Sequence, residues 1–259
     1  MKTYKYETHL HTFQGSKCGI SSGDEYIEPF YKAGYSGIFV TDHFFGGNTR
    51  ASKEDSWENR VNQYCSGYEE AFEAAKQFNL KNGLTGTDNE FKVFFGLEQT
   101  FDGDDYLIYG PDKKYLLNHP EIEKLRHREL FELLKNMNGL MIQAHPFRLR
   151  DYITAFHVHP RDVHGVEVYN GGNKSSENKL ALLYASQYAF PMTSGSDIHN
   201  VNFLLEEKER VAAGGMAAGG MEFDTPLIDI FDYAKRIKNK EGRLLGCPAD
   251  FFDFKVANK

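Results

Sequence analysis

Two histidines separated by one residue, His9 and His11, lie in a stretch with the composition of a short β-strand. Because successive side chains of a strand point to opposite faces, both imidazoles are expected on the same face. Two neutral imidazoles held side by side are suitable ligands for a divalent transition metal. An isolated pair of this kind is more often structural than metal-binding, so the interpretation depends on the rest of the chain.

Four further segments have the same form, an apolar, β-prone run that ends in side chains able to bind a metal. The segments cover residues 37–43, 93–98, 140–145 and 191–199, and their candidate ligands are His43, Glu98, His145, Asp197 and His199. A barrel of parallel strands brings the carboxyl ends of its strands together at one mouth. Together with the first strand, these segments therefore predict one shared site.

The candidate ligands combine imidazole nitrogens with carboxylate oxygens. Such a set suits zinc, manganese or iron, and it differs from the all-oxygen shells that calcium and magnesium prefer. The imidazoles are more numerous than a single ion can use, which favours a cluster of ions. Glu98 is suited to bridge ions through its carboxylate, and Asp197 with His199 repeats the spacing of the first pair.

The elements that would position these residues alternate between short apolar runs and helical patterns, which is typical of a parallel α/β architecture. We count about seven strand candidates by this criterion. Ser22 and Glu25 have capping-box spacing for a helix that ends before Gly34, and Trp57 opens a longer helical pattern. The glycine-rich residues 211–220 lack the spacing of a nucleotide-binding loop, so we expect a bent strand or a mobile loop there.

Length and composition predict one domain over residues 1–259, because 259 residues suit a single α/β barrel. The formal net charge of −7 disfavours a nucleic-acid-binding surface and favours a small-molecule substrate. Cys18, Cys65 and Cys247 are widely separated and fit neither a disulfide framework nor a thiolate zinc site. No signal-like or membrane-spanning apolar run is visible, so we expect a cytoplasmic protein without a membrane partner. No feature of the sequence indicates an oligomeric state.

The motifs resemble those of the PHP superfamily (polymerase and histidinol phosphatase) in order and spacing between residues 7 and 200. They are His9-Leu10-His11, Thr41-Asp42-His43, Gly96-Leu97-Glu98, Ala144-His145-Pro146 and Ser196-Asp197-Ile198-His199. The resemblance implies a distorted (β/α)7 TIM-like barrel with the metal site at the carboxyl ends of its strands. It also implies two or three divalent ions and hydrolysis of a small-molecule phosphomonoester by a metal-activated water. The ligand role then falls to His9, His11, His43, Glu98, His145, Asp197 and His199.

Two positions depart from the pattern of this superfamily. Members with three metals have a histidine six residues after the His-x-His pair, where this chain has Lys17. The Lys17 ammonium is a candidate to stabilise charge on the substrate phosphate, and a solvated loop lysine is the alternative. Members also often have a histidine after the strand that follows the glutamate, and Asp112 is a candidate to replace it as an oxygen ligand.

Other polar residues near the predicted strand ends have supporting roles at most. Arg148 is a candidate phosphate ligand through its planar guanidinium, and a surface ion pair with Asp151 is the alternative. Glu167 and Asn170 end a strand candidate and are expected to orient the metal ligands. The second His-x-His pair, residues 157–159, precedes a proline and has no carboxylate partner, so it is predicted to lie at the surface.

Two other functional classes remain open from the sequence. An amidohydrolase-type hydrolase of C–N bonds also begins with a His-x-His pair, and a PHP module can bind metal without catalysis. The position of Glu98 and the terminal Asp197-Ile198-His199 motif favour the PHP assignment, and the complete ligand set favours an enzyme. The identity of the substrate is not indicated by the sequence, because fold and motif do not determine the leaving group.

Overall fold

A computed structural model describes residues 2–151 and 153–253. The strands in these ranges are β1 (Tyr4–Leu10), β2 (Tyr35–Val40), β3 (Lys92–Phe95), β4 (Leu97–Phe101), β5 (Asp104–Tyr109), β6 (Leu140–Gln143), β7 (Gly165–Asn170), β8 (Met192–Gly195), β9 (Gly220–Phe223) and β10 (Arg243–Leu245). The α-helices there are α1 (Ile27–Lys32), α2 (Trp57–Lys81), α3 (Lys113–Asn118), α4 (His127–Asn136), α5 (Ser175–Gln187), α6 (Asn202–Leu205), α7 (Glu207–Ala212) and α8 (Ile230–Lys238).

The strands form two five-stranded sheets within the described residues. In the first sheet, with order β10-β9-β1-β2-β3, β2 is parallel to both neighbours and β9 is antiparallel to both of its neighbours. In the second sheet, with order β4-β5-β6-β7-β8, β5 is antiparallel to β4 and β6, and β6, β7 and β8 are parallel. Each sheet therefore contains one run of three parallel strands, β1-β2-β3 and β6-β7-β8, as the alternation of strands and helices indicates.

The two sheets meet on both sides of the predicted site. On one side, β3 and β4 are separated only by Gly96, and an isolated parallel bridge pairs His43 with Glu98. On the other side, a parallel bridge pairs Leu10 with Ile198, with the backbone N–H of His11 donating to the Ile198 carbonyl at 2.8 Å. Candidate ligands thus lie at, or next to, both lines of contact between the sheets.

The expected α/β architecture is confirmed, but the seven-stranded closed barrel is not. The described strands form two sheets, and the β4–β5 connection is a tight turn at Asp102 and Gly103, with φ of 52° and 91°. A turn this short cannot contain a helix, so β5 reverses direction instead of continuing a βα repeat. Strands β4, β9 and β10 add to the seven strand candidates, and the glycine-rich residues 211–220 form the end of α7, a loop and the start of β9.

An aromatic core lies between the two sheets. Phe39 of β2 stacks on Phe94 of β3 with ring centroids 4.6 Å apart, and the ring of Tyr109 from β5 meets Phe39 edge-on at 5.6 Å. Tyr233 of α8 is fully buried and packs against the same group. Burying a side chain of this size contributes roughly 1.5–3 kcal/mol. This core supports the strands whose ends carry the candidate ligands.

None of the described helices combines the length and apolarity needed to cross a membrane.

Candidate metal centre

The end of strand β1 and the residue that follows it place two imidazoles side by side in the interior. His9 and His11 are both fully buried, and their ring centroids are 5.2 Å apart. The Glu7 carboxylate accepts the backbone N–H of His9 at 2.9 Å, which fixes the strand at this point. Both rings face the same two carboxylates, Glu98 and Asp197, so the prediction that they share one face is confirmed.

Glu98 lies at the centre of the cluster and divides its two oxygens among four imidazoles. Its Oε1 is 3.1 Å from Nε2 of His9 and 3.1 Å from Nε2 of His145. Its Oε2 is 3.3 Å from Nε2 of His11 and 2.7 Å from Nδ1 of His43. This division is the geometry that a bridging carboxylate requires, because each oxygen faces a different group of ligands.

Asp197 faces the β1 pair from the opposite side. Its Oδ1 is 3.4 Å from Nε2 of His9 and 3.1 Å from Nε2 of His11. Its Oδ2 contacts Arg148 Nη2 at 2.5 Å, and its backbone carbonyl lies 2.8 Å from Nδ1 of His199. Asp197 therefore links the candidate ligands to the arginine predicted to bind phosphate.

All seven predicted ligands fall into three overlapping groups. In each group one ligand atom per residue lies within 4.8 Å of the others. The groups are His9 with Glu98 and His145, His9 with His11 and Asp197, and His11 with His43 and His199. The structure thus brings together every residue of the predicted ligand set except the tentative Asp112.

In His9 and His11, one ring nitrogen has an oxygen partner and the other has none. Nδ1 of His9 is 3.0 Å from Oε1 of Glu167, and Nδ1 of His11 is 3.2 Å from Oγ of Ser16. The Nε2 atoms of both rings are buried without a hydrogen-bond partner, as are Nδ1 of His43 and Oε2 of Glu98. Buried polar atoms are normally satisfied, and metal-binding histidines normally donate their other ring N–H to an oxygen. The chemistry of this donor set therefore fits divalent transition-metal ions.

The expected supporting residues take part in this arrangement. Glu167 also accepts hydrogen bonds at Oε2 from Asn170 Nδ2 (2.8 Å) and from the backbone N–H of His145 (3.1 Å). One carboxylate thus orients His9 through its ring and His145 through its backbone. Glu7 and Ser196 have a similar role, because Glu7 accepts the Ser196 backbone N–H at 2.9 Å and holds the segment before Asp197 against β1.

Two of the candidate ligands have unusual backbone conformations. His145 has φ of 30° and Asp197 has φ of 55°, within the left-handed region that side chains other than glycine rarely adopt. Each such residue costs of order 1–3 kcal/mol and persists only where the surrounding structure enforces it. Their coincidence with the carboxylate and imidazole cluster is consistent with a functional centre.

The charges in the cluster strongly perturb one another. Burial acts to raise the pKa of Glu98, but the imidazoles of His43 and His9 hold it well below its usual range. Burial also acts to raise the pKa of Asp197, which Arg148 and His9 keep well below its usual range. Burial, together with His199 and His43, lowers the pKa of His11 to about 3. Burial acts to lower the pKa of His9 and of His43, but Asp197 holds the pKa of His9, and Glu98 that of His43, well above its usual range. Neighbouring positive charge thus favours the ionised form of both carboxylates, which is the form that binds metal.

A cavity of about 630 Å³ opens onto the cluster. Its lining includes His43, Asp197, His199, Arg148, Asp105 and Cys18. The Arg148 guanidinium is held by Oδ1 of Asn173 and Oδ1 of Asn170, each at 2.8 Å, in addition to Asp197. Its contacts are therefore with the site and not with Asp151. The cavity has room for a small substrate beside the cluster.

Two of the tentative residues are not brought to the cluster. Asp112 is exposed, accepts the backbone N–H of Tyr115 as the N-cap of α3, and lines a separate cavity with Phe91 and Ile228. The reason is the direction of β5, which runs away from the mouth and leaves Asp112 at the opposite end. Lys17 is exposed and does not line the cavity beside the cluster.

The second His-x-His pair also lies outside the cluster, as expected. His157 pairs with Asp104 at 2.5 Å, and the ring of His159 stacks on His127 with centroids 4.0 Å apart. The first of these residues is exposed at the surface.

Two residues at the site were not singled out from the sequence. Asp105, at the start of β5, lines the cavity, and its Oδ2 is 4.0 Å from Nε2 of His145. Cys18 lines the same cavity between His43 and His199. Burial acts to raise the pKa of the Cys18 thiol, but hydrogen bonds with both imidazoles lower it to about 6. Burial raises the pKa of Cys65 and of Cys247 to about 12.

Comparison with known proteins gives structural relatives only. No protein-family model and no curated protein match the sequence. The fold is similar to that of a two-domain protein from Bacteroides vulgatus described as containing a predicted PHP-like metal-dependent phosphoesterase, with a TM-score of 0.65 and 17% identity over 94% of this chain. This chain spans 64% of the length of that protein. PsfC from Pseudomonas syringae has a TM-score of 0.54 and 14% identity, over 97% of this chain and 94% of PsfC.

A weaker likeness exists to a third protein, an amidohydrolase from Chromobacterium violaceum, with a TM-score of 0.46 and 12% identity over 75% of this chain and 87% of that one. This likeness is too low to support an argument about the reaction. The first similarity confirms the expected resemblance to PHP-like proteins at the level of the fold.

Proposed function

We propose that this protein is a metal-dependent phosphoesterase of the PHP type that hydrolyses a small-molecule phosphomonoester. In this proposal two or three ions of zinc, manganese or iron are held by His9, His11, His43, Glu98, His145, Asp197 and His199. The observation that carries the proposal is the position of Glu98, whose two oxygens each face a different pair of imidazoles. A single catalytic domain over residues 1–259, a barrel-like arrangement of the two sheets and a cytoplasmic location remain predictions.

Bound divalent ions would supply a water of lowered pKa and positive charge against the phosphoryl oxygens. The role of the chain is to fix this chemistry in place. Glu167, Ser16 and the Asp197 carbonyl each hold the Nδ1 atom of one histidine, which leaves the Nε2 atoms of these rings for metal. Such outer partners set the orientation and basicity of the ligands.

Arg148 is proposed to orient the phosphoryl group. Its Nε and Nη2 atoms are engaged by Asn173, Asn170 and Asp197, whereas Nη1 has no hydrogen-bond partner among the described residues. The guanidinium is thus held rigidly, with one nitrogen left for a substrate oxygen. A planar, permanently charged donor is well suited to this task.

The experiment that tests the function is phosphate release from a panel of small phosphomonoesters, after loading the protein with manganese, zinc or iron. We expect release by the native protein and loss of release in Glu98→Gln, because an amide cannot bridge ions as a carboxylate does. The matched control is Glu73→Gln, whose side chain is exposed on α2 away from the cluster. Ammonia release from C–N substrates without phosphate release would assign an amidohydrolase. Tight metal binding without either reaction would assign a non-catalytic module.

A further inference from the structure

One wall of the cavity beside the cluster is formed by residues outside the candidate ligand set. Ile153, Thr154 and Ala155, in the connection between β6 and β7, line this cavity together with Arg148 and Asp105. The three residues belong to neither a helix nor a strand. Contacts made elsewhere in the same connection are therefore needed to fix the position of this wall.

His157 attaches the connection to strand β5. Its Nδ1 lies 2.5 Å from Oδ2 of Asp104, the first residue of β5. Asp104 is only 8% exposed, and among the described residues its carboxylate hydrogen-bonds only with His157. A buried carboxylate that loses its partner is costly, so the fold favours the position in which His157 meets Asp104.

Two further contacts hold the same part of the chain. Nε2 of Gln143, the fully buried last residue of β6, donates to the His157 carbonyl at 2.6 Å. Strands β5 and β6 are neighbours, so His157 is held against two adjacent strands. The ring of His159 stacks on His127 of α4, with centroids 4.0 Å apart. Both histidines of the second His-x-His pair thus attach this connection to the rest of the fold.

The alternation of side chains along β5 connects these contacts with the cavity. Successive side chains of a strand point to opposite faces, so Asp104 and Asp105 diverge. Asp105 lines the cavity, whereas Asp104 meets His157. Strand β5 therefore contributes to the cavity directly through Asp105 and supports the wall of residues 153–155 through Asp104.

We propose that His157 and His159 are positioning residues, which hold residues 153–155 as the wall against which the leaving group of the phosphomonoester lies. The phosphoryl group would occupy the end of the cavity formed by the candidate ligands and Arg148, so the rest of the substrate extends along the remaining lining. Residues 153–155 carry no charge, and Asp102 and Asp105 line the same cavity, which favours an uncharged leaving group over an anionic one. This inference rests on the proposed function and adds the residues that determine its leaving-group preference.

The experiment compares p-nitrophenyl phosphate, whose ester group is an uncharged ring, with inorganic phosphate in the manganese-loaded protein. In His157→Ala and in His159→Ala we expect KM for p-nitrophenyl phosphate to rise about tenfold, as the loss of contacts in a pocket does. We expect no comparable fall in kcat and no change in metal content, because only substrate binding is weakened. The inhibition constant of inorganic phosphate should stay unchanged, since phosphate has no leaving group to contact the wall.

Trypsin cleavage after Arg161 gives a readout that does not depend on activity. Arg161 is exposed and follows His159 by two residues, so a detached segment is cut faster. We expect faster cleavage in both alanine variants. His157→Asn is expected to keep the native KM and the native cleavage rate, because its amide nitrogen can donate to Asp104 in place of Nδ1.

The matched control is His119→Ala. His119 also pairs with a carboxylate, that of Glu121 at 2.8 Å, and stacks on the ring of Tyr115 with centroids 4.1 Å apart. It lines a separate cavity, so we expect its loss to leave the KM and the cleavage rate as in the native protein.

Three results would contradict the inference. An unchanged cleavage rate in the alanine variants would overturn the role of the histidines, and an unchanged KM would overturn the role of the wall. A parallel rise of KM and of the phosphate inhibition constant would show that the change reaches the phosphoryl end, and it would overturn the assignment to the leaving group. A native protein that releases phosphate from no phosphomonoester would overturn the proposed function itself, and the cleavage rates would still decide whether the histidines hold the segment.

Discussion

Glu167 is outside the candidate ligand set but contacts two of its members, His9 and His145. Its Oε1 orients the ring of His9, and its Oε2 accepts from both Asn170 and the backbone of His145. A carboxylate can serve all three donors because both of its oxygens only accept. An amide at this position would always turn one N–H group towards a donor.

The Glu167→Gln variant is therefore expected to weaken metal binding without removing a ligand. We expect the metal dissociation constant to rise by about 10–100-fold, the range for outer partners of metal ligands, while stoichiometry at saturating metal is unchanged. Metal titration followed by calorimetry measures both quantities. Glu177→Gln is the control, because this buried carboxylate accepts hydrogen bonds from the backbone N–H groups of Leu149 and Lys174, outside the cluster. An unchanged dissociation constant would show that Glu167 does not orient the ligands.

Lys17 provides a second test at the level of a single residue. The sequence-based role predicts that Lys17→Ala lowers kcat/KM by about ten- to a thousandfold with unchanged metal content, since a transition-state charge contact is lost. The side chain is exposed, so contact with the substrate requires its flexible stem to extend over the mouth. Steady-state kinetics and metal analysis of Lys17→Ala test whether the ammonium contacts the substrate. Unaltered kinetics would place Lys17 outside the site.

The convergence of the candidate ligands was predictable from the sequence, and the approach of two of their neighbours was not. Strand ends in a parallel architecture converge, so apolar runs that end in His43, Glu98 and His145 indicated one site. Asp105 could not be inferred, because its position depends on the reversal of β5. Cys18 has no characteristic spacing to the candidate ligands, and only the fold of its loop brings it to the cavity that they line.

At the scale of elements, the close approach of β8 to β1 holds the cluster together. A Cβ at Gly195, the last residue of β8, would lie 2.5 Å from Cβ of His9 and 2.7 Å from Oε1 of Glu167. No side chain fits there without displacing a ligand or its partner. The observed arrangement of His9 and Glu167 therefore requires glycine at position 195.

The Gly195→Ala variant is expected to lose stability and metal affinity together. Overpacking of this kind costs typically about 1–3 kcal/mol. The control is Gly34→Ala, where a Cβ meets no atom within 4 Å and only the φ of 85° is strained. We expect this control to lose stability but to bind metal normally. Denaturant unfolding and metal titration of both variants give the comparison, and normal metal affinity in Gly195→Ala would contradict the argument.

A histidine beside β6 makes the stability of the fold depend on pH. Nδ1 of His164 accepts the backbone N–H of Met141 at 3.0 Å, and burial, with Lys238 and Lys135 nearby, lowers its pKa from 6.5 to about 4. The unfolded chain therefore binds a proton more readily than the folded protein between these values. Stability from this group is present above pH 6.5 and is lost as the pH falls towards 4.

The His164→Gln variant tests this dependence, because its amide oxygen can accept the same N–H and does not titrate. We expect the free energy of unfolding of the native protein to fall more steeply than that of the variant between pH 6.5 and 4. Urea unfolding at several pH values measures both slopes. Parallel curves would show that His164 is not the responsible group.

Element boundaries were predictable where local signals were strong. Trp57 was expected to open a long helix, and α2 begins there, with the Ser56 hydroxyl accepting the backbone N–H of Asn59 as an N-cap. The β4–β5 hairpin and the antiparallel β9 and β10 were not expected, because short strands with mixed composition lack a clear period. These elements are the part of the two sheets that a repeated βα pattern does not predict.

At the scale of the whole molecule, the candidate ligands come from both sheets. His9 lies on β1 of the first sheet and His11 directly after it, Glu98 lies on β4 of the second sheet, and Asp197 and His199 lie beyond β8. Ions bound among them would join the two sheets at both lines of contact. The location of the cluster therefore ties metal binding to the integrity of the fold, since a ligand that binds only the folded state stabilises it.

The measurement that tests this account most directly is the number of transition-metal ions bound per chain, determined by elemental analysis after metal-supplemented expression. The account predicts at least about two ions per chain, because one ion cannot use seven converging ligands. Fewer than about one ion per chain in folded protein would contradict it, since a shared site of this composition would then lack its metal.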